Sequence, residues 1–188
     1  MKKLLSFVFV IVLLLSITAC KNSQLSTRIA EPFSKILKNE QAFYTSYSKT
    51  NITLSDYNET VWQYSLVDMD ADGNDELAIM FEDGNILILR QKDDKVLGYD
   101  FGLHSMYQIN SDGSFLWNSD AGSIYGCSTL KFEDEQYKTN ELWRVENDGN
   151  NSITYYVNGK TVTKNEFDAL TEKRNKKSIE WNLLSEEN

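Results

Sequence analysis

Three features of the sequence predict an α+β fold: an antiparallel β-meander, curved or sandwich-like, with one N-terminal and one C-terminal helix. Apolar residues recur at helical spacing from residue 29 onward. Between Val61 and Val162, short β-prone runs alternate with turn residues. Thr163-Lys164-Asn165-Glu166 then has the form of a capping box, which opens a helix. Helix, sheet and helix around one core is the α+β arrangement.

Ile29, Phe33, Ile36, Leu37 and Phe43 share one helical face, and Pro32 stands near the start, where proline is tolerated. This spacing predicts a helix over about 29–45, followed by a polar loop to about residue 59. Val61-Trp62-Gln63-Tyr64-Ser65-Leu66-Val67 reads as a strand leading into an acidic segment, and Leu77-Ala78-Ile79-Met80-Phe81 as the strand leaving it. Glu82-Asp83-Gly84-Asn85 turns that strand back into Ile86-Leu87-Ile88-Leu89, a strong hairpin signal. Further turns are expected at 92–95, 110–113 and 147–150, giving a meander of about eight to ten strands. Tyr155-Tyr156-Val157 turns at Asn158-Gly159 into Lys160-Thr161-Val162. The capped helix then runs through Phe167 and Leu170 to about Arg174, and Ile179, Trp181, Leu183 and Leu184 are expected to return to the sheet. No internal repeat indicates a propeller or solenoid.

The N-terminus carries an address. Lys2 and Lys3 precede an uncharged, largely apolar run from Leu4 to Ala19, which ends in Ile17-Thr18-Ala19-Cys20. A charged start, a short apolar core and a small-residue cleavage site define a secretory signal. The run is short for a bilayer span, which needs about 20 apolar residues. Ile17-Thr18-Ala19-Cys20 resembles a bacterial lipobox, and the resemblance implies acylation of Cys20 and cleavage before it. The expected organisation is a signal peptide at 1–19, a polar tether at 20–28 and a single domain at 29–188. Localisation follows as the cell membrane, lipid-anchored on its extracytoplasmic face.

Removing residues 1–19 leaves 169 residues and shifts the formal charge from −9 to −11, because Lys2 and Lys3 are lost. So acidic a chain is a poor partner for nucleic acid or for anionic lipid surfaces. Attachment to the bilayer would therefore come from acylated Cys20, with more than one chain needed for a firm hold. A thioether at Cys20 cannot enter a disulfide, so the fold must rely on its hydrophobic core. Cys127, among Ile124, Tyr125 and Leu130, is expected as a small buried hydrophobe.

The segment Asp68-Met69-Asp70-Ala71-Asp72-Gly73-Asn74-Asp75-Glu76-Leu77 concentrates the chemistry of the chain. Counting Asp68 as position 1, acids fall at positions 1, 3 and 5, glycine at 6 and Glu76 at 9. An EF-hand loop shares the first half but requires a bidentate Glu at position 12, where this chain has Ile79. Strand-like sequence, not helix, flanks the loop. Converging carboxylates repel one another, by about 4 kcal/mol per pair at about 4 Å and an effective dielectric of about 20, and a divalent cation reverses the sign. All donors are oxygen and neither His104 nor Cys127 is local, which favours calcium over zinc or copper. Magnesium, with its stricter octahedron, fits less well.

The spacing resembles the DxDxDGxxD/E loops of FG-GAP repeats in integrin α propellers, which sit between two strands. The resemblance implies side-chain oxygens from Asp68, Asp70, Asp72 and Glu76, and the backbone carbonyl of Asn74, around one structural Ca2+. More widely, residues 68–77 and the ending Tyr155-Tyr156-Val157-Asn158-Gly159-Lys160 resemble small Gram-positive lipoproteins that carry one DxDxDGxxEL hairpin. That resemblance implies localisation and metal, but no activity.

No signal for catalysis stands out. His104 and Cys127 lack any local signature of a base and nucleophile. Glu133, Asp134 and Glu135 read as a solvated turn better than as a glycosidase pair. No P-loop, dinucleotide fingerprint or G-x-S-x-G occurs. Tyr64, Tyr99, Tyr107, Trp117, Tyr125 and Trp143 are expected mostly in the core, with a binding face as the alternative. The function expected is a surface-anchored, calcium-stabilised, non-enzymatic module that binds a protein or cell-wall partner. A cell-envelope hydrolase or inhibitor is the alternative.

Overall fold

Two β-sheets, stacked through their apolar faces, form the framework of the computed structural model, which describes residues 29–150, 152–172 and 177–184. The predicted signal peptide, Cys20 and the tether lie outside the described residues. All elements below belong to one compact unit, Glu31–Asn188.

Helix α1 spans Glu31–Leu37, followed by strands β1 (Phe43–Thr45) and β2 (Thr50–Ile52). A run of antiparallel strands follows: β3 (Val61–Val67), β4 (Glu76–Phe81), β5 (Ile86–Lys92) and β6 (Lys95–Phe101). Next come β7 (Gln108–Ile109), β8 (Phe115–Ser119), β9 (Ile124–Glu133), β10 (Gln136–Asn147), β11 (Ile153–Val157) and β12 (Lys160–Val162). Helix α2 (Lys164–Glu172) and strand β13 (Asn182–Leu183) end the order. The first sheet runs β13-β3-β4-β5-β6-β1-β2, and the second β12-β11-β10-β9-β8-β7. Neighbours pair antiparallel except β1 and β6, which run parallel. The predicted α+β class, mostly β with a helix towards each end, is the fold observed.

Side-chain alternation assigns the faces. From the first sheet Ala78, Ile86, Ile88, Leu97, Tyr99 and Phe101 meet Ile109, Phe115, Leu130 and Phe132 of the second. The Tyr99 and Phe132 rings lie 5.0 Å apart. The opposite parity, Leu77, Ile79, Phe81, Leu87 and Leu89, is buried as well. Its cover is the N-terminal segment: Tyr57 stacks on Phe81 at 4.9 Å, and Phe33, Ile36 and Leu54 are buried. Burial on both faces explains why β4 and β5 read as continuous apolar runs.

The N-terminal helix is shorter than its periodicity predicts. The Glu40 and Asn39 amides donate to the Lys35 and Ile36 carbonyls, and Asn39 has φ 58°. That is a Schellman termination with asparagine in the left-handed position. Phe43, predicted on the helix, is instead a buried residue of β1. The predicted loop to residue 59 contains β2, paired with β1, and a 3₁₀ turn at Leu54–Asp56.

The capping box is formed as predicted, with Thr163 and Glu166 exchanging hydrogen bonds. Phe167 of α2 packs edge-on against Trp143 at 5.5 Å. The segment after it joins both sheets at one side. The Lys177 carbonyl accepts from the Ser111 amide, the Ile179 amide donates to Ile109, and β13 pairs with β3. Ile179 and Trp181 pack on the core as expected, but Leu183 is exposed.

Candidate metal centre

The acidic segment connects β3 to β4, whose register places Val67 opposite Glu76. It is therefore a hairpin loop between strands. Ile79, at the position an EF-hand reserves for its bidentate acid, is fully buried in β4.

Local hydrogen bonds shape the loop. Asp68 accepts from the Asp72 amide at 3.1 Å and from the Gly73 amide at 2.9 Å. Ala71 and Gly73 take the left-handed conformation, with φ of 60° and 90°. Asp72 accepts from the amide and the side chain of Asn74. Such carboxylate-to-amide bonds close tight turns without help from the rest of the fold. Between half-buried Asp68 and Asp70, Met69 points inward, 1% exposed, and joins the core between the sheets.

Asp68, Asp70 and Glu76 each present a carboxylate oxygen within 4.8 Å of the other two, the only such acidic group among the described residues. Glu76 is 1% exposed and its Oε2 accepts the Met69 amide at 2.8 Å. Burial pushes its carboxyl group from 4.5 up to about 8; the Met69 hydrogen bond opposes the rise, Asp70 and Asp72 add to it, and Arg90 opposes it. Asp70 Oδ1 is buried and has no hydrogen-bond partner. An ionised oxygen buried in that state is costly unless a cation compensates it.

Of the five predicted ligands, three converge. Asp72 is outside the triad, with Oδ2 3.7 Å from Arg90 Nη2. Asn74, predicted through its carbonyl, uses its amide and side-chain nitrogen to brace Asp72. The lipidation residue Cys20 lies outside the described residues.

Two neighbours of the site escaped the sequence reading. Arg90 reaches the triad from β5, with Nε 4.0 Å from Glu76 Oε1 and its guanidinium 4.9 Å from the centre of the Phe132 ring. One signal was available, since Arg90 shares the parity of Ile86 and Ile88 and so stands at an inward position. Gly113, in the turn between β7 and β8, lies against the loop backbone. A Cβ there would stand 2.2 Å from the Asp68 carbonyl oxygen. Nothing local in Asn110-Ser111-Asp112-Gly113 reveals that contact.

The other candidate residues lie elsewhere in the fold. His104 is exposed and shares a 2.7 Å hydrogen bond with Asn118. Cys127 is buried in β9. Glu133, Asp134 and Glu135 form the turn between β9 and β10, where Glu133 pairs with Lys138 and Asp134 with Lys92. Tyr99 is buried, the Trp117 indole donates to Ser128, and Tyr107 and Tyr125 are exposed. Among the described residues no helix is long and apolar enough to cross a membrane.

Comparison with protein-family models found no match, comparison with curated proteins found no similar chain, and comparison with solved structures found no matching fold.

Proposed function

We propose that the β3–β4 loop is a structural calcium site in a lipid-anchored, extracytoplasmic module that binds a protein or cell-wall partner. The observation that carries the metal is the buried, unpartnered Oδ1 of Asp70, within a triad completed by Asp68 and Glu76. Oxygen-only donors suit calcium, whose coordination shell is larger and less strict than that of magnesium. Solvent-exposed Asp72 and Asn74, together with water, can supply further oxygens. The ion would hold the end of the β3–β4 hairpin, whose strand β4 is almost wholly buried, so its role is scaffold rather than signal.

Sites in extracellular modules bind calcium at about 10⁻⁴ to 10⁻³ M. At about 10 mM calcium the linked stabilisation is about 1.4 to 2.7 kcal/mol. For a domain of this size that raises the melting temperature by about 3 to 10 °C. Asp70→Ala should remove the rise, and magnesium at equal concentration should give a smaller one. Identical wild-type melts in calcium and in chelator would defeat the assignment.

The anchor reading rests on Lys2, Lys3, the apolar run and the lipobox-like Ile17-Thr18-Ala19-Cys20. Cys20→Ser is expected to move the protein from the membrane fraction to the medium or to a soluble fraction. Unchanged membrane retention would count against acylation at this residue.

A further inference from the structure

We infer that Arg90 is the affinity-setting residue of the metal site, a fixed positive charge that weakens cation binding and holds the loop together when no cation is bound. The inference rests on the calcium reading above.

The geometry leaves Arg90 little choice of place. It follows Ile86-Leu87-Ile88-Leu89 on β5 and shares the inward face with Ile86 and Ile88. Its side chain is only 17% exposed. The guanidinium lies over the Phe132 ring at 4.9 Å, an attraction between a cation and the negative face of the ring. Its nitrogens reach Asp72 Oδ2 at 3.7 Å and Glu76 Oε1 at 4.0 Å. These distances exceed those of a bidentate pair, so the arginine acts here through its charge more than through hydrogen bonds.

Four acids surround this point: Asp68, Asp70, Asp72 and Glu76. Calcium alone would leave two negative charges uncompensated, whereas calcium with Arg90 leaves one. Without calcium, Arg90 is the one positive group among the described residues that pairs with the cluster. The same charge must oppose the ion. A unit positive charge about 6 Å from a divalent ion weakens its binding about tenfold even at the dielectric of water. Ligand charge is the lever by which such sites set their affinity. Arg90 therefore places the site towards the weak end of calcium affinity, where it fills only in a calcium-rich medium.

The test is titration of the folded wild-type protein and of Arg90→Met, Arg90→Gln and Arg90→Lys with calcium, and separately with terbium. Circular dichroism confirms the fold beforehand, and glutamine covers the case in which methionine fails to fold. Calcium affinity should rise about tenfold in both neutral variants, and terbium affinity about thirtyfold, because repulsion scales with the charge of the ion. Arg90→Lys, which keeps the charge, should stay close to wild type. A merely structural arginine predicts the reverse, since its loss would loosen the loop and weaken both ions. Neutral variants that bind calcium no tighter than wild type, or that gain equally for both ions, would overturn the inference alone. A wild-type protein that binds neither ion would overturn the metal site and the role of Arg90 together.

Discussion

Gly113→Ala is expected to cost at least about 3 kcal/mol of stability and to abolish the calcium response. Gly113 has φ 75°, and a Cβ would stand 2.2 Å from the Asp68 carbonyl oxygen and 2.9 Å from Met69 Cα. Both are backbone atoms, so no side-chain rotation relieves the clash. The turn between β7 and β8 would have to lift off the acidic loop, separating Met69 from the core and Asp68 from the triad. Gly149→Ala is the control. Gly149 has φ 78° with nothing within 4 Å of a Cβ, so only the left-handed backbone penalty of about 1 kcal/mol applies. Urea denaturation of the two variants separates conformational cost from docking cost. Equal losses would show that Gly113 does not dock the second sheet on the loop.

The second large effect is a pH dependence that calcium removes. Glu76 titrates at 4.5 when free and is pushed up to about 8 in the folded, metal-free protein, because burial disfavours its charged form. The sign follows from proton counting. Between these values the folded state holds a proton that the unfolded chain has released, so stability falls as pH rises. Below the lower value both states are protonated and the penalty is absent. In chelator, the wild type should therefore melt lower at pH 8 than at pH 5 by more than Glu76→Gln does. With calcium the carboxylate has a cation to meet, so the deficit at pH 8 should disappear for the wild type and persist for any variant that cannot bind. A wild-type pH response in chelator no steeper than that of Glu76→Gln would remove Glu76 as its cause.

Legibility divided by range. The strand pattern from Val61 to Val162, the turns at Asp83-Gly84 and Asn158-Gly159 and the Thr163–Glu166 cap could be read because each depends on neighbours a few residues away. The first helix ends earlier than its apolar spacing predicts, because Phe43 continues that spacing on β1, while the signal that stops the helix is one left-handed asparagine, Asn39. The parallel pairing of β1 with β6 was not readable, since it joins strands about fifty residues apart. The aromatic residues divided in the same way. Their types predicted burial for Tyr99, but only the position of each strand in its sheet decided that Tyr107 and Tyr125 face solvent.

The site shows the same division at smaller scale. By itself the sequence placed four carboxylates, Asp68, Asp70, Asp72 and Glu76, in one tight hairpin loop, because they lie within nine residues and Asp68 closes the turn through local bonds to the Asp72 and Gly73 amides. Only the tertiary structure decided that three of the four converge, that Arg90 stands against the cluster on the ring of Phe132, and that Gly113 closes the loop from the other sheet. The physical reason is the range of the forces involved. Turn geometry acts through covalent neighbours, whereas charge compensation and steric contact act through space between strands that only the completed sandwich brings together.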